Sequence, residues 1–175
     1  MHQRFSISPE VAKRAKWPHE IFLINLIFNH VFLLCATAAV AGSIPLLPGL
    51  VPVISFAIIC YIHISARQIA ESDEPWFVMA HWQICASRNR FFMLLLTLCC
   101  VISGSGYWLS RVLGWAKIPT IALIGGVGLL PFMAALLVLI VLGNESVYMA
   151  RNGELPEHFL QQNPTLAAMR LHTQE

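Results

Sequence analysis

The sequence predicts an all-α, polytopic membrane protein: an antiparallel bundle of four transmembrane helices with short interfacial helices. Three observations predict it. The 175 residues are 57% hydrophobic. Only 11% are charged, whereas a soluble domain has about 25% charged residues, so polar side chains are too few to cover a water-facing surface. Four apolar runs also approach the roughly 20 residues that a helix needs to cross a bilayer.

The chain divides into segments of a single membrane domain, residues 1–175. Its polar, basic beginning is typical of a tail that lies on anionic lipid, and four basic residues are too few to favour nucleic acid. The predicted segments are, in order, an amino-terminal tail (1–19), two spans (20–41 and 50–69), a polar connector (70–90), two further spans (91–109 and 118–143) and a carboxyl-terminal tail (144–175).

Local signals place several helix ends. Ser8-Pro9-Glu10 has a capping residue, a proline at the first helical position and an acid in the first turn. Ser72-Asp73-Glu74-Pro75 predicts another helix start, with a cap candidate, acids and an early proline. Asn152-Gly153 is a typical terminator. Pro131 follows a glycine-rich stretch, which predicts a kink or local unwinding of the fourth span.

The distribution of Lys and Arg predicts the orientation. The amino-terminal tail, the connector region (from Arg67 to Arg90) and the carboxyl-terminal tail together hold nine of these residues, and the two short links hold two. Because cytoplasmic segments carry the excess of positive charge, both termini and the connector are expected in the cytoplasm. The expected location is therefore the cytoplasmic (inner) membrane, with multiple spans.

Four polar side chains, Asn25, Asn29, His30 and His63, lie within or close to predicted spans. Asn25 and Asn29 are four residues apart and share one helix face, which should meet another helix. His30 and His63 could serve as two ligands of a b-type haem, or act in a quinone-linked redox protein. Against this, we expect them at different depths, roughly 15 Å and about 5–9 Å below the ends of their spans. The sequence therefore predicts no cofactor, and haem b is kept only as an alternative.

A cluster of polar residues is expected at the cytoplasmic face. His63, Arg67 and Glu71 recur every fourth residue, which predicts one polar stripe and internal pairing. A metal site is not predicted, because no His-x-x-x-His or Glu-x-x-His pair exists, and neither is catalysis, because no reaction motif is present. The members of the predicted cluster are Arg67, Glu71, His81, Arg88, Arg90 and Glu145.

Transport is a second alternative. Transporters use broken helices that meet polar side chains at mid-depth, and the stretch before Pro131 together with Asn25 and Asn29 could supply both features. The fourth predicted span has no acid or base before Glu145. A four-span monomer offers little room for a pathway, so a small transporter or channel would need to be an oligomer.

The leading hypothesis is a non-catalytic subunit or assembly factor of a larger membrane complex for secretion, respiration or transport. Residues 76–89 are apolar around most of a helical circumference, although a lone interfacial helix separates its apolar and polar faces. Part of this surface is therefore expected to contact other membrane-protein subunits or a second copy of the chain. The expected contact residues are Trp76, Phe77, Met79, Trp82 and Ile84.

Overall fold

Four long helices make up most of the structure. The computed structural model describes residues 2–44, 46–114 and 116–164, so residues 165–175 of the predicted tail lie outside the described residues. All four helices are long and apolar enough to cross a membrane: α1 (Pro9–Ala39), α2 (Leu47–Ala70), α3 (Trp76–Val112) and α4 (Ile118–Asn152). The all-α class and the four candidate spans are confirmed. The antiparallel arrangement across a bilayer stays a prediction.

A small sheet, which the sequence analysis did not predict, joins the two ends of the described chain. Strand β1 (His2–Arg4) pairs antiparallel with β2 (Glu154–Pro156), and Gln3 lies opposite Leu155. Gly153 ends α4 with φ of 71°, a left-handed conformation that glycine adopts without steric cost. The chain then turns through β2 into the short helix α5 (Glu157–Gln162).

The predicted helix ends have mixed outcomes. The start of α1 is confirmed: Ser8 Oγ accepts a hydrogen bond of 3.3 Å from the backbone N–H of Val11, and Pro9 follows the cap. The stop at Asn152-Gly153 is confirmed as well. The helix start predicted at Ser72-Asp73-Glu74-Pro75 is confirmed, because α3 begins at Trp76, but the expected side-chain cap is absent. The Ser72 hydroxyl instead donates to the carbonyl of Ile69 at 2.9 Å, at the end of α2.

Two of the long helices contain a stretch of wider π-helix, α1 near its middle and α4 near its beginning. In α1 the α-helix Pro9–Ile24 passes into a π-helical stretch, Asn25–Leu33, and returns to α-helix over Leu34–Ala39. In α4 the π-helical stretch is Ala122–Leu129, directly before the α-helix Leu130–Asn152 that contains Pro131. Proline donates no backbone hydrogen bond, so the predicted local unwinding takes the form of a wider helix.

The buried residues of the described part of the chain form two cores. Helix α1 packs against α3 and α4, and α3 also packs against α2. The inner core lies between the four helices and includes Phe22, Ile59, Phe92 and Phe132. The tail-side core forms where the two ends of the chain cover the beginning of α3. It comprises Ala15, Ala66, Phe77, Val78, Met79, Ala80, Trp82, Ile84, Ala150, Leu155 and Leu160, with Phe5 and Trp76 packed against it.

Small residues let α3 and α4 approach closely. A Cβ atom added at Gly106 would lie 2.9 Å from Ile124 Cγ1, closer than real Cβ contacts. A Cβ atom added at Gly128 would lie 3.2 Å from Ile102 Cγ2. Helices in membranes commonly associate through small residues of this kind. The close contact between the last part of α3 and the first part of α4 therefore depends on the absence of side chains at these two glycines.

Replacing Gly106 should destabilise this contact. Gly106→Leu should cost about 1–3 kcal/mol in the free energy of unfolding, because the added side chain overpacks the contact with α4. Gly104→Leu is the matched control, since a Cβ atom at Gly104 meets nothing within 4 Å. Unfolding of both variants in detergent is the measurement, and equal stability of the two would contradict the packing described here.

Candidate functional site

A pair of buried histidines joins α1 to α3. His19 Nε2 lies 3.0 Å from His81 Nδ1, and neither side chain is exposed. One ring nitrogen must donate and the other accept, so the two facing nitrogens share a single proton. Within the described part of the chain, His19 Nδ1 has no hydrogen-bond partner, whereas the His81 ring also lies against the backbone of Glu154 in β2. The pair therefore holds α1 and α3 at a fixed register where the tail-side core meets the inner core.

Cys85 and Arg88 extend this polar contact along α3. Cys85 Sγ lies 3.2 Å from the carbonyl oxygen of Pro18 in α1. Arg88 donates from Nη1 to the carbonyl of Leu142 and to Ser146 Oγ, both in α4. One side of α3 thus binds α1 through a thiol and α4 through a guanidinium.

Asn25 and Asn29 connect α1 to α2. Asn25 Nδ2 donates to Ser55 Oγ at 3.0 Å. Asn29 Nδ2 donates to the carbonyl of Val51 at 2.9 Å, and lies 3.1 Å from Asn25 Oδ1. All three polar side chains are buried. The shared face predicted for the two asparagines meets α2.

His30 is enclosed within the first π-helical stretch. Its Nδ1 lies 3.0 Å from the carbonyl oxygen of Asn25, five residues earlier, and the ring is buried. Because a carbonyl only accepts, Nδ1 is the donor. The ring contacts Phe92 and Phe132, with centroid distances of 5.1 and 5.5 Å. The His30 side chain thus bonds to a backbone carbonyl in the same stretch where α1 changes from α-helix to π-helix.

His63 lies in a separate group on α2 and α3. His63 Nδ1 and Asn89 Nδ2 both approach the carbonyl oxygen of Ile59, at 3.0 and 3.2 Å. In the described part of the chain, His63 Nε2 has no partner, as is also true of His30 Nε2. A backbone carbonyl at Nδ1 and a free Nε2 would suit a ligating histidine. The two rings, however, have different neighbours, so haem ligation by His30 and His63 stays a prediction.

The structure distributes the predicted cytoplasmic-face cluster over several places. His81 pairs with His19, and Arg88 binds α4. Glu145 lies 3.9 Å from His2. Arg67 and Arg90 line one cleft between α2 and α3, together with His63. Among the described residues, Arg67 and Glu71 form no ion pair within 4.0 Å, so internal pairing along the predicted stripe is absent there.

The predicted partner-contact residues lie inside the chain. Phe77, Met79, Trp82 and Ile84 are buried in the tail-side core. Trp76 is partly buried against Phe5, whose ring centroid is 5.1 Å away. The apolar circumference of residues 76–89 therefore has a cause within the chain, and in this conformation these side chains are not available to another protein.

Sequence reasoning missed several side chains of these contacts, among them Ser55, Ser146, His19 and Asn89. His19 was assigned to the tail and Asn89 was passed over between two arginines, yet both are fully buried. A histidine directly before a span is an available signal for His19. Its partner, 62 residues away, has no local pattern that reveals it.

The described residues contain no group of three or more His, Cys, Asp or Glu side chains placed to hold a metal ion. Comparisons with protein-family models, with curated proteins and with solved structures found no match to this chain. The interactions among its own residues therefore carry the functional argument.

Replacing either histidine of the buried pair alone should destabilise the chain by more than half of what replacing both does. His81→Leu leaves His19 Nε2 buried without a partner, which should cost about 1–3 kcal/mol in the free energy of unfolding. The double variant His19→Leu/His81→Leu should cost less than the sum of the single variants, because it leaves neither ring unpaired. His158→Leu, at an exposed position, is the control. Strictly additive losses in detergent unfolding would contradict the hydrogen bond.

Proposed function

We propose that the chain is a non-catalytic integral subunit, or an assembly factor, of a larger complex in the cytoplasmic membrane. Both termini and residues 70–90 would lie in the cytoplasm, as the charge distribution predicts. Pairing of the two chain ends in one sheet supports a common side for them. The machine to which such a subunit belongs would serve secretion, respiration or transport.

The observation that carries this proposal is the use of the buried polar groups. Most of the bonds that these groups make join different helices: His19 to His81, Asn25 to Ser55, Asn29 to Val51, Arg88 to Ser146 and Asn89 to Ile59. Polar groups of an enzyme or a pathway must face a substrate. Here they hold helices together, which supports a structural role.

The proposed partner surface is an aromatic ridge on α1. Ile24, Phe28 and Phe32 are 51%, 63% and 61% exposed, and they recur every fourth residue. The rings of Phe28 and Phe32 contact each other, with centroids 5.6 Å apart. Aromatic side chains are enriched at protein interfaces. This ridge is available to a neighbouring subunit, whereas Trp82 and its neighbours are covered.

Truncating the aromatic ridge should release the partner without unfolding the chain. Each of Phe28→Ala and Phe32→Ala should weaken co-purification of a stoichiometric partner from the source membrane, by about 2 kcal/mol if the ring anchors the interface. Native mass spectrometry of gently solubilised membranes is the measurement.

Leu94→Ala and Leu98→Ala are the matched controls for the ridge variants, because both leucines are exposed on α3. They should keep the partner. A chain that is monomeric without a stoichiometric partner, or a partner that the ridge variants retain, would contradict the proposal.

Transport is the second candidate, and the two π-helical stretches favour it. One contains Asn25, Asn29 and His30, and the other contains three glycines before Pro131. Wider helical turns are frequent at functional sites. Measuring flux in proteoliposomes distinguishes a transporter from a subunit. A haem Soret band in the purified protein would instead support the redox alternative. A preparation that shows neither flux nor a Soret band would leave the structural role.

A further inference from the structure

Two arginines share a cleft in which no described residue is acidic. Arg67 from α2 and Arg90 from α3 line a cleft of about 540 Å³, the arginine cleft, together with His63, Gln83, Ser87 and Asn163. Neither arginine forms an ion pair within 4.0 Å among the described residues. Two like charges that face the same space repel each other, and a bound anion would relieve this repulsion.

An apolar groove meets the arginine cleft at Ser87. This groove, of about 450 Å³, runs between α3 and α4 and is lined by Ser87, Phe91, Ala135, Val138, Leu139 and Leu142. Arg88 also lines it, with its guanidinium already bonded to Leu142 and Ser146 of α4. Ser87 lines both spaces. An occupant of both would carry an anionic end and a hydrocarbon chain.

We infer that the arginine cleft and the apolar groove bind one anionic phospholipid. Its phosphate lies between Arg67 and Arg90, which present guanidinium donors suited to phosphate oxygens. Gln83 and Ser87 are placed to bond the polar part of the headgroup, and one acyl chain follows the groove along Phe91 and Leu142. The inference goes beyond the proposed subunit role and does not depend on it.

A second basic groove of the chain lacks this combination. It is lined by Arg4, Lys13, Lys16 and Arg151, and Lys16 is already paired with Glu20 at 2.8 Å. None of the residues of the apolar groove lines it. Its residues Lys13 and Lys16 also line a neighbouring cleft that holds three carboxylates, Glu10, Glu20 and Glu74, so an anion there meets like charge. The groove is therefore the source of a charge-matched control.

Native mass spectrometry of the full chain in mild detergent tests the inference. Phosphatidylglycerol and phosphatidylcholine are titrated separately, and the bound fraction is measured for each. Arg67→Gln/Arg90→Gln should weaken phosphatidylglycerol binding about tenfold through loss of charge-assisted hydrogen bonds, while phosphatidylcholine binding stays weak in both proteins. The control Lys13→Gln/Arg151→Gln removes the same charge and should leave the affinity unchanged. Equal losses in both double variants, or none in either, would overturn the site.

A second variant separates a lipid from a soluble phosphate. Ala135→Leu fills the apolar groove and keeps both arginines, so it should weaken phosphatidylglycerol binding. Glycerol 3-phosphate, which has the phosphate without acyl chains, should raise the unfolding temperature of the unaltered chain far less than phosphatidylglycerol does. If glycerol 3-phosphate stabilises as strongly as the lipid and Ala135→Leu has no effect, the cleft binds a soluble phosphate and the lipid inference is wrong.

Discussion

The rest of the structure depends on the contact between the beginning of α3 and the two ends of the chain. Residues 76–89 are apolar on nearly every face and cannot remain exposed to water. Phe5 covers Trp76 from the amino-terminal end, with ring planes at 84°, and Leu155 and Leu160 cover the same region from the carboxyl-terminal end. Fully burying a large apolar side chain is worth about 1.5–3 kcal/mol. This burial explains why both chain ends fold back and pair.

Polar contacts set the registers that the apolar contacts leave open. Hydrophobic surfaces slide, whereas the 3.0 Å approach of His19 and His81 and the bonds of Asn29 and Arg88 each require one register. A single hydrogen bond between membrane helices contributes only about 0.6 kcal/mol on average. Several of them, distributed over α1 to α4, specify the arrangement more than they stabilise it. The same distribution underlies the proposal of a structural subunit.

The sequence predicted what local patterns encode. Runs of apolar residues revealed the four helices, and the Ser8-Pro9-Glu10 signal revealed the start of α1 because a cap acts within a few residues. The π-helical stretch at Asn25–Leu33 could not be predicted, since it accompanies a histidine side chain bonded to its own backbone. The strand pairing and the His19–His81 contact join distant parts of the chain. The chain ends also bury Trp82, which was expected at a partner surface, and no local pattern around Trp82 reveals this.

The arginine cleft is a further feature that the local sequence pattern does not predict. A helical period placed Arg67 four residues before Glu71 and predicted pairing, but Glu71 lies where α2 ends. An anion is then the missing counter-charge. The partner of a charged side chain depends on where its helix ends and on how neighbouring helices pack. Neither can be derived from the spacing of residues in the sequence.

Amide hydrogen exchange of the isolated chain in lipid nanodiscs tests the central claim most directly. If the chain's own ends cover the beginning of α3, amides of residues 76–89 should be protected without any partner, to a degree similar to those of the inner core around Phe92. Exchange of residues 76–89 at the rate of an exposed helix, with protection appearing only when another protein is added, would contradict the account.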